Sequence, residues 1–74
     1  MKKPTLAQLV GQTIRRHRTD IGLSQDLFAD RILMHRAYYS AIERGEKNVT
    51  LPTLRRVAIG LGVTMSELLK GVVD

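Results

Sequence analysis

Apolar residues in this chain recur three and four positions apart, and no stretch alternates as a half-buried strand would. Leu6, Leu9, Val10, Ile14, His17 and Ile21 share one helical face, so a first helix is expected over about residues 6–21. Arg15, Arg16 and Asp20 fall off that face, and Gly22 supplies the stop. Ser24 is an N-cap residue for a short second helix, about residues 25–32, with Asp26 in its first turn and Leu27, Phe28 and Ile32 able to face inward. A brief turn at Leu33-Met34 leads to a third helix, about residues 36–44, with Tyr39 and Ile42 inward and Gly45 as its end. After a polar loop, Thr50 caps a fourth helix whose first turn holds Pro52, where a missing N–H is harmless. Its buried stripe is Leu54, Val57, Ala58 and Leu61. Thr64 and Glu67 have the spacing of a capping box and open a last short helix that ends near Lys70. The pattern predicts an all-α fold of five short helices.

Length changes this picture little: 74 residues make one domain, 1–74, with its core over about 6–69. A chain this short buries one modest core and has no room for a catalytic domain beside a binding domain. With no cysteine there is no disulfide, no thiolate metal site and no thiol redox sensor. No apolar run approaches the roughly 20 residues that span a bilayer, and the charged start Met1-Lys2-Lys3-Pro4 leads into no signal-peptide core. A cytoplasmic protein is expected. Lys and Arg total 12 against 7 acidic residues, a net charge of +5, which suits nucleic acid or an anionic membrane surface.

The order of parts around residues 24–45 narrows the choice. A short helix opens at Ser24-Gln25, the chain turns tightly, and a second helix ends Ile42-Glu43-Arg44-Gly45. With Gly22-Leu23-Ser24-Gln25, Ala29, Leu54, Ala58 and Leu61-Gly62-Val63 at their spacings, the chain resembles the lambda-repressor-like (Cro-like) helix-turn-helix family over about residues 6–69. The run His35-Arg36-Ala37-Tyr38-Tyr39-Ser40, followed by Glu43-Arg44-Gly45-Glu46-Lys47-Asn48, is similar to the controller proteins of restriction–modification systems. The resemblance implies a compact five-helix domain with its helix-turn-helix at helices 2 and 3. It implies a bacterial transcriptional regulator, repressor or activator, that binds operator DNA.

A helix fits the major groove, and its N-terminal side chains reach base edges. Here those are Arg36, Ala37, Ser40 and Ala41. A guanidinium at Arg36 can bond guanine O6 and N7 together, Ala37 can touch a thymine methyl, and Ser40 can bond a base or a phosphate. Gln25 stands at a helix N-terminus, where backbone N–H groups attract phosphate. The resemblance implies the same role for Gln25 and phosphate contacts from Arg44, Lys47 and Asn48. The Tyr38 hydroxyl either bonds a phosphate or covers the domain edge. The resemblance further implies an ion pair between Arg18 and Glu43, which is structural in character.

One recognition helix reads too few base pairs to pick an operator from a genome, so a homodimer on two half-sites about 34 Å apart is expected. Met65, Leu68, Leu69, Val72 and Val73 exceed what so small a core needs, and with helix 4 they are the expected seam, within about residues 51–73. The other reading of the same residues is that they close the monomer core.

Two positions depart from the family pattern. Leu33 replaces the usual glycine of the turn, so either the turn takes another shape or the fold carries strain of roughly 1 kcal/mol or more. His17 stands where a leucine is usual, either as a packed neutral imidazole or as a pH-sensitive group. Scattered acidic residues, and His17 and His35 without partners at ligand spacing, give no sign of an enzyme, a metal site or a cofactor. No small-molecule site is evident either. A protein-interaction or antitoxin-type module on the same fold is the rival reading, because fold does not fix function.

Overall fold

Helix starts in this chain are set by hydroxyl groups. Thr5, Ser24, Thr50 and Thr64 each accept the backbone N–H three residues on, which satisfies one of the free donors of a helix N-terminus. In the computed structural model, which describes residues 2–72, these caps open α1 (Leu6–Asp20), α2 (Gln25–Arg31), α4 (Leu51–Leu61) and α5 (Met65–Leu69). Only α3 (Arg36–Glu43) begins without a side-chain cap, at His35. Thr5 with Gln8, and Thr64 with Glu67, form reciprocal capping boxes.

Helix ends are just as regular. The backbone turns left-handed two residues past the end of α1, α2 and α3 and one past the end of α4, at Gly22, Leu33, Gly45 and Gly62, with φ of 75°, 55°, 76° and 76°. At each exit the following N–H folds back to a carbonyl five residues earlier, as in Met34 to Ala29 (2.9 Å) and Val63 to Ala58 (3.1 Å). Three of the four use glycine, which has no Cβ to clash in that conformation. Leu33 is the exception, so the strained turn is the one the fold adopts. Its side chain is 84% exposed and adds nothing to the core. The carbonyls of Ile32 and Leu33 instead accept hydrogen bonds from the Arg56 guanidinium, from Nε at 2.6 Å and from Nη2 respectively, which ties the turn to α4.

The five helices enclose one core in which Ile14, Phe28, Tyr39, Ile42, Val57 and Leu68 are fully buried. Phe28 of α2 and Tyr39 of α3 meet with ring centroids 5.2 Å apart and planes tilted by 53°, a favourable aromatic geometry. Gly11 sets how closely α1 meets the end of α3. A methyl group there would stand 2.5 Å from the carbonyl oxygens of both Ile42 and Glu43. The Thr13 hydroxyl donates to the Leu68 carbonyl at 3.1 Å and docks α5 on α1.

Several expected inward positions lie elsewhere. Leu6 and Ile21 sit at the two ends of α1 and are exposed. Leu27 precedes Phe28 by one residue, about 100° around the helix, and is 58% exposed. His17 is half-buried. Leu68, expected at a dimer seam, is 0% exposed because it closes the core between α1 and α4.

Leu33→Gly removes the left-handed strain and sacrifices no buried area. It is expected to raise stability by roughly 0.5–1 kcal/mol, measured as the urea midpoint. A lower midpoint would show that the Leu33 side chain contributes to the fold.

Candidate nucleic-acid interface

The outer face of α3 carries the polar residues that its inner face cannot. Arg36, Ala37, Ser40 and Arg44 follow helical spacing and together line one shallow concave surface. Ala41 lies off that arc and is only 6% exposed, so its methyl group packs inward and is not offered to a base. Tyr38 is partly exposed at the side of the helix. Lys47 and Asn48 project from the loop after α3 and are exposed. The first N–H groups of α3 have no side-chain acceptor, and they point along the same end of the helix as Arg36.

Each arginine on this face is held by an acid. Arg44 donates from Nη1 to the Ser40 hydroxyl at 2.6 Å, and from Nε and Nη2 to the two Glu46 oxygens at 2.9 and 3.0 Å. Because Ser40 accepts in that bond, its own hydroxyl hydrogen is free to donate. Arg36 forms an ion pair with Asp26 of α2, Nε facing Oδ1, and both side chains are about two-thirds exposed (67% and 65%). In water such pairs contribute little to stability, so their effect is on where the guanidinium groups sit.

Behind the face lies a buried knot. Glu43 Oε2 accepts from Arg18 Nε at 2.6 Å and from the Tyr39 hydroxyl. Glu43 Oε1 accepts from Arg18 Nη2 at 3.0 Å and from Gln25 Nε2 at 2.9 Å. Arg18 Nη1 goes on to the Leu23 carbonyl at 2.8 Å. The carboxylate thus fills its four acceptor positions, and it is in contact with α1, α2 and α3. Burial pushes the Glu43 pKa up, but the bonds from Arg18, Tyr39 and Gln25 outweigh it and hold the group below its ordinary 4.5. The bond to Glu43 raises the pKa of Arg18 in turn. Burial, followed by the bond to Glu43, pushes the Tyr39 phenol far above its usual range. Among the described residues no buried side-chain nitrogen or oxygen is without a partner.

Gln25, expected on the DNA backbone, is half-buried and commits one N–H to Glu43, which leaves its second N–H and its carbonyl oxygen. Met65, Leu69 and Val72 are half-buried, and Val73 lies outside the described residues. Sequence reading did not single out Arg56 as the clamp of the turn, or Asp26 and Glu46 as partners of the arginines. Glu46 stands two residues from Arg44 in the sequence, but Asp26 lies on α2 and no local pattern pairs it with Arg36. No helix among the described residues is long and apolar enough to cross a membrane, and no group of acidic or histidine side chains there is arranged to hold a metal.

This geometry, an exposed second helix of a tight two-helix unit braced by a buried ion pair, defines a helix-turn-helix DNA-binding regulator. The helix-turn-helix family model HTH_3 matches residues 14–68, and the chain belongs to that family. It is 46% identical over 59 residues to control protein C.MunI of a Mycoplasma species, a match covering 80% of this chain and 77% of that protein. The crystal structure of the restriction–modification controller protein C.AhdI from Aeromonas hydrophila superposes with a TM-score of 0.80 at 35% identity, covering 84% of this chain and 94% of that one. The controller protein C.Esp1396I, solved as a tetramer in complex with its natural 35-base-pair operator, gives 0.82 at 28% identity over 97% of this chain and 100% of that one. The chain is a DNA-binding transcriptional regulator of the controller-protein type.

Glu43→Ala leaves Arg18 buried without its counter-ion and is expected to cost about 3–5 kcal/mol, read from urea unfolding at neutral pH. Unchanged stability would remove the knot from its bracing role. In the parent protein Glu43 has a depressed folded-state pKa, so its contribution is present above pH 4.5 and is lost as pH falls through the lower, folded value. The urea midpoint is therefore expected to fall on acidification below pH 4.5, and a midpoint that rises there would contradict the assignment.

Proposed function

We propose that the protein is a restriction–modification controller that binds an inverted-repeat operator in duplex DNA as a homodimer. The observation that carries this reading is the outward face of α3, where Arg36, Ala37, Ser40 and Arg44 share one concave surface. Arg36, Ala37 and Ser40 read base edges in the major groove, with Arg36 bidentate on guanine. Gln25, Tyr38, Arg44, Lys47 and Asn48 contact the phosphate backbone and set the register. The net charge of +5 supplies the attraction that brings any DNA to this face. The relatives named as control proteins, one of them solved on its operator, support the same reading.

The homodimer reading rests on a second surface. A groove of about 500 Å³ between α4 and the start of α5 is lined by Leu51, Pro52, Arg55, Arg56, Ile59 and Met65. Leu51 is 71% exposed and Ile59 68%. Two large aliphatic side chains this exposed on one apolar groove of so small a protein support reading it as the seam. The seam joins Leu51, Ile59 and Met65, while Leu69 and Val72 pack against the core. A two-fold axis through this seam gives each recognition helix its own half-site.

Selection from random duplex DNA at physiological salt is expected to enrich an inverted repeat with half-sites about 34 Å apart. Arg36→Ala should cost about 1–3 kcal/mol in operator binding and relax the preference at one base pair per half-site. A library that stays random, with binding that vanishes as salt rises, would remove the reading of an inverted-repeat operator. Ile59→Asp places a charge in the seam and is expected to give a monomer by sedimentation at concentrations where the parent is dimeric. A parent protein that is monomeric at all concentrations and on DNA would rule out the homodimer.

A further inference from the structure

We infer that Asp26 is a specificity-determining residue: it holds the Arg36 guanidinium in a base-reading orientation and opposes binding to DNA that does not engage it. The inference rests on Arg36 reading a base and goes beyond it by assigning a role to an acid whose charge repels the phosphate backbone.

Asp26 lies in the first turn of α2, and its carboxylate faces Nε of Arg36, the first residue of α3. Nε is the inner donor of the guanidinium. Among the described residues neither Nη1 nor Nη2 of Arg36 makes a hydrogen bond. Those two groups form the end-on fork that matches O6 and N7 of guanine. The ion pair keeps the guanidinium beside α2 at the start of α3 and leaves the fork unoccupied. This limits the rotamer freedom that a long, exposed arginine would otherwise lose on binding.

The same carboxylate carries a cost. An exposed negative charge on the face that meets phosphates weakens every DNA complex, specific or not. Only a guanine placed to receive both Nη donors returns something for it. Arg36 cannot swing away to a phosphate without leaving Asp26 beside DNA with no counter-ion. Asp26 thus disfavours the complexes in which Arg36 acts as a plain cation, which is discrimination by a repulsive element. Asp30 offers an internal comparison. It lies one turn further along α2, is exposed, and has no ion-pair partner among the described residues.

The test compares Asp26→Asn, Asp30→Asn and Arg36→Ala in the full chain, each measured for affinity to the selected operator and to random duplex of the same length at one salt concentration. Thermal unfolding of each variant accounts for any change in folded fraction. Asp26→Asn is expected to tighten random-DNA binding several-fold while lowering the operator-to-random ratio about tenfold, the size of a lost bidentate base contact. Asp30→Asn is expected to tighten both duplexes alike and leave the ratio unchanged. In the Asp26→Asn, Arg36→Ala double variant the ratio should equal that of Arg36→Ala alone. An Asp26→Asn variant that tightens both duplexes equally, while Arg36→Ala still relaxes selectivity, overturns this inference and leaves Arg36 as a reader. If Arg36→Ala also leaves the ratio unchanged, the base-reading role of Arg36 falls, and the role of Asp26 falls with it.

Discussion

The Glu43 carboxylate is the point on which the rest of the structure depends. It is buried on the last turn of the recognition helix, and all four of its acceptor positions are filled by Arg18, Tyr39 and Gln25. A buried ion pair seldom adds much net stability, because desolvation offsets the Coulomb gain. Its effect is geometric: it makes other attitudes of α3 expensive, since any of them would leave a charge buried and unsatisfied. Gly11 completes the constraint from the other side by letting the α1 backbone lie against the carbonyls of Ile42 and Glu43. Between them, α3 has one way to sit, and its outer face is what remains for DNA.

That outer face is arranged as cations kept in place by anions. Arg44 is tied to Glu46 and Ser40, and Arg36 is paired with Asp26. A face of bare arginines would bind any duplex tightly. Pairing them lowers that general affinity and sets the direction of each guanidinium, and the net charge of +5 still supplies attraction at a distance. Direction, more than charge, is what separates one base pair from another.

Most of the fold was legible in the sequence because the helix boundaries are written in local chemistry. Hydroxyl residues at 24, 50 and 64 and glycines at 22, 45 and 62 cap and end helices whatever the tertiary context. The Thr5–Gln8 box is written in the same local chemistry. Periodicity named the core faces but not their edges, so Leu27 was placed too far inward and Ala41 and Leu68 too far outward. Distinguishing a core residue from a seam residue in α5 needs the position of α1, which no local pattern contains. The same holds for Gly11 and for Arg56. A glycine within a helix signals close approach without naming the neighbour. The Arg56 clamp joins positions 23 and 24 residues apart in the chain. Leu33 was the informative anomaly: the turn kept its left-handed geometry, and the arginine from α4 holds the carbonyls beside it.

Titration of the isotope-labelled protein with its selected operator duplex, following every backbone amide by NMR, asks directly whether the knot presents α3 to DNA. The largest shifts are expected on Arg36, Ala37, Ser40 and the Lys47–Asn48 loop, while amides around Arg18 and Tyr39 keep their free-protein positions. That pattern would mean a recognition helix presented in advance by a rigid frame. Largest shifts on α1 or α5, or a wholesale change around Arg18 and Tyr39, would contradict it, because DNA would then meet another face or remake the knot that is held to fix α3.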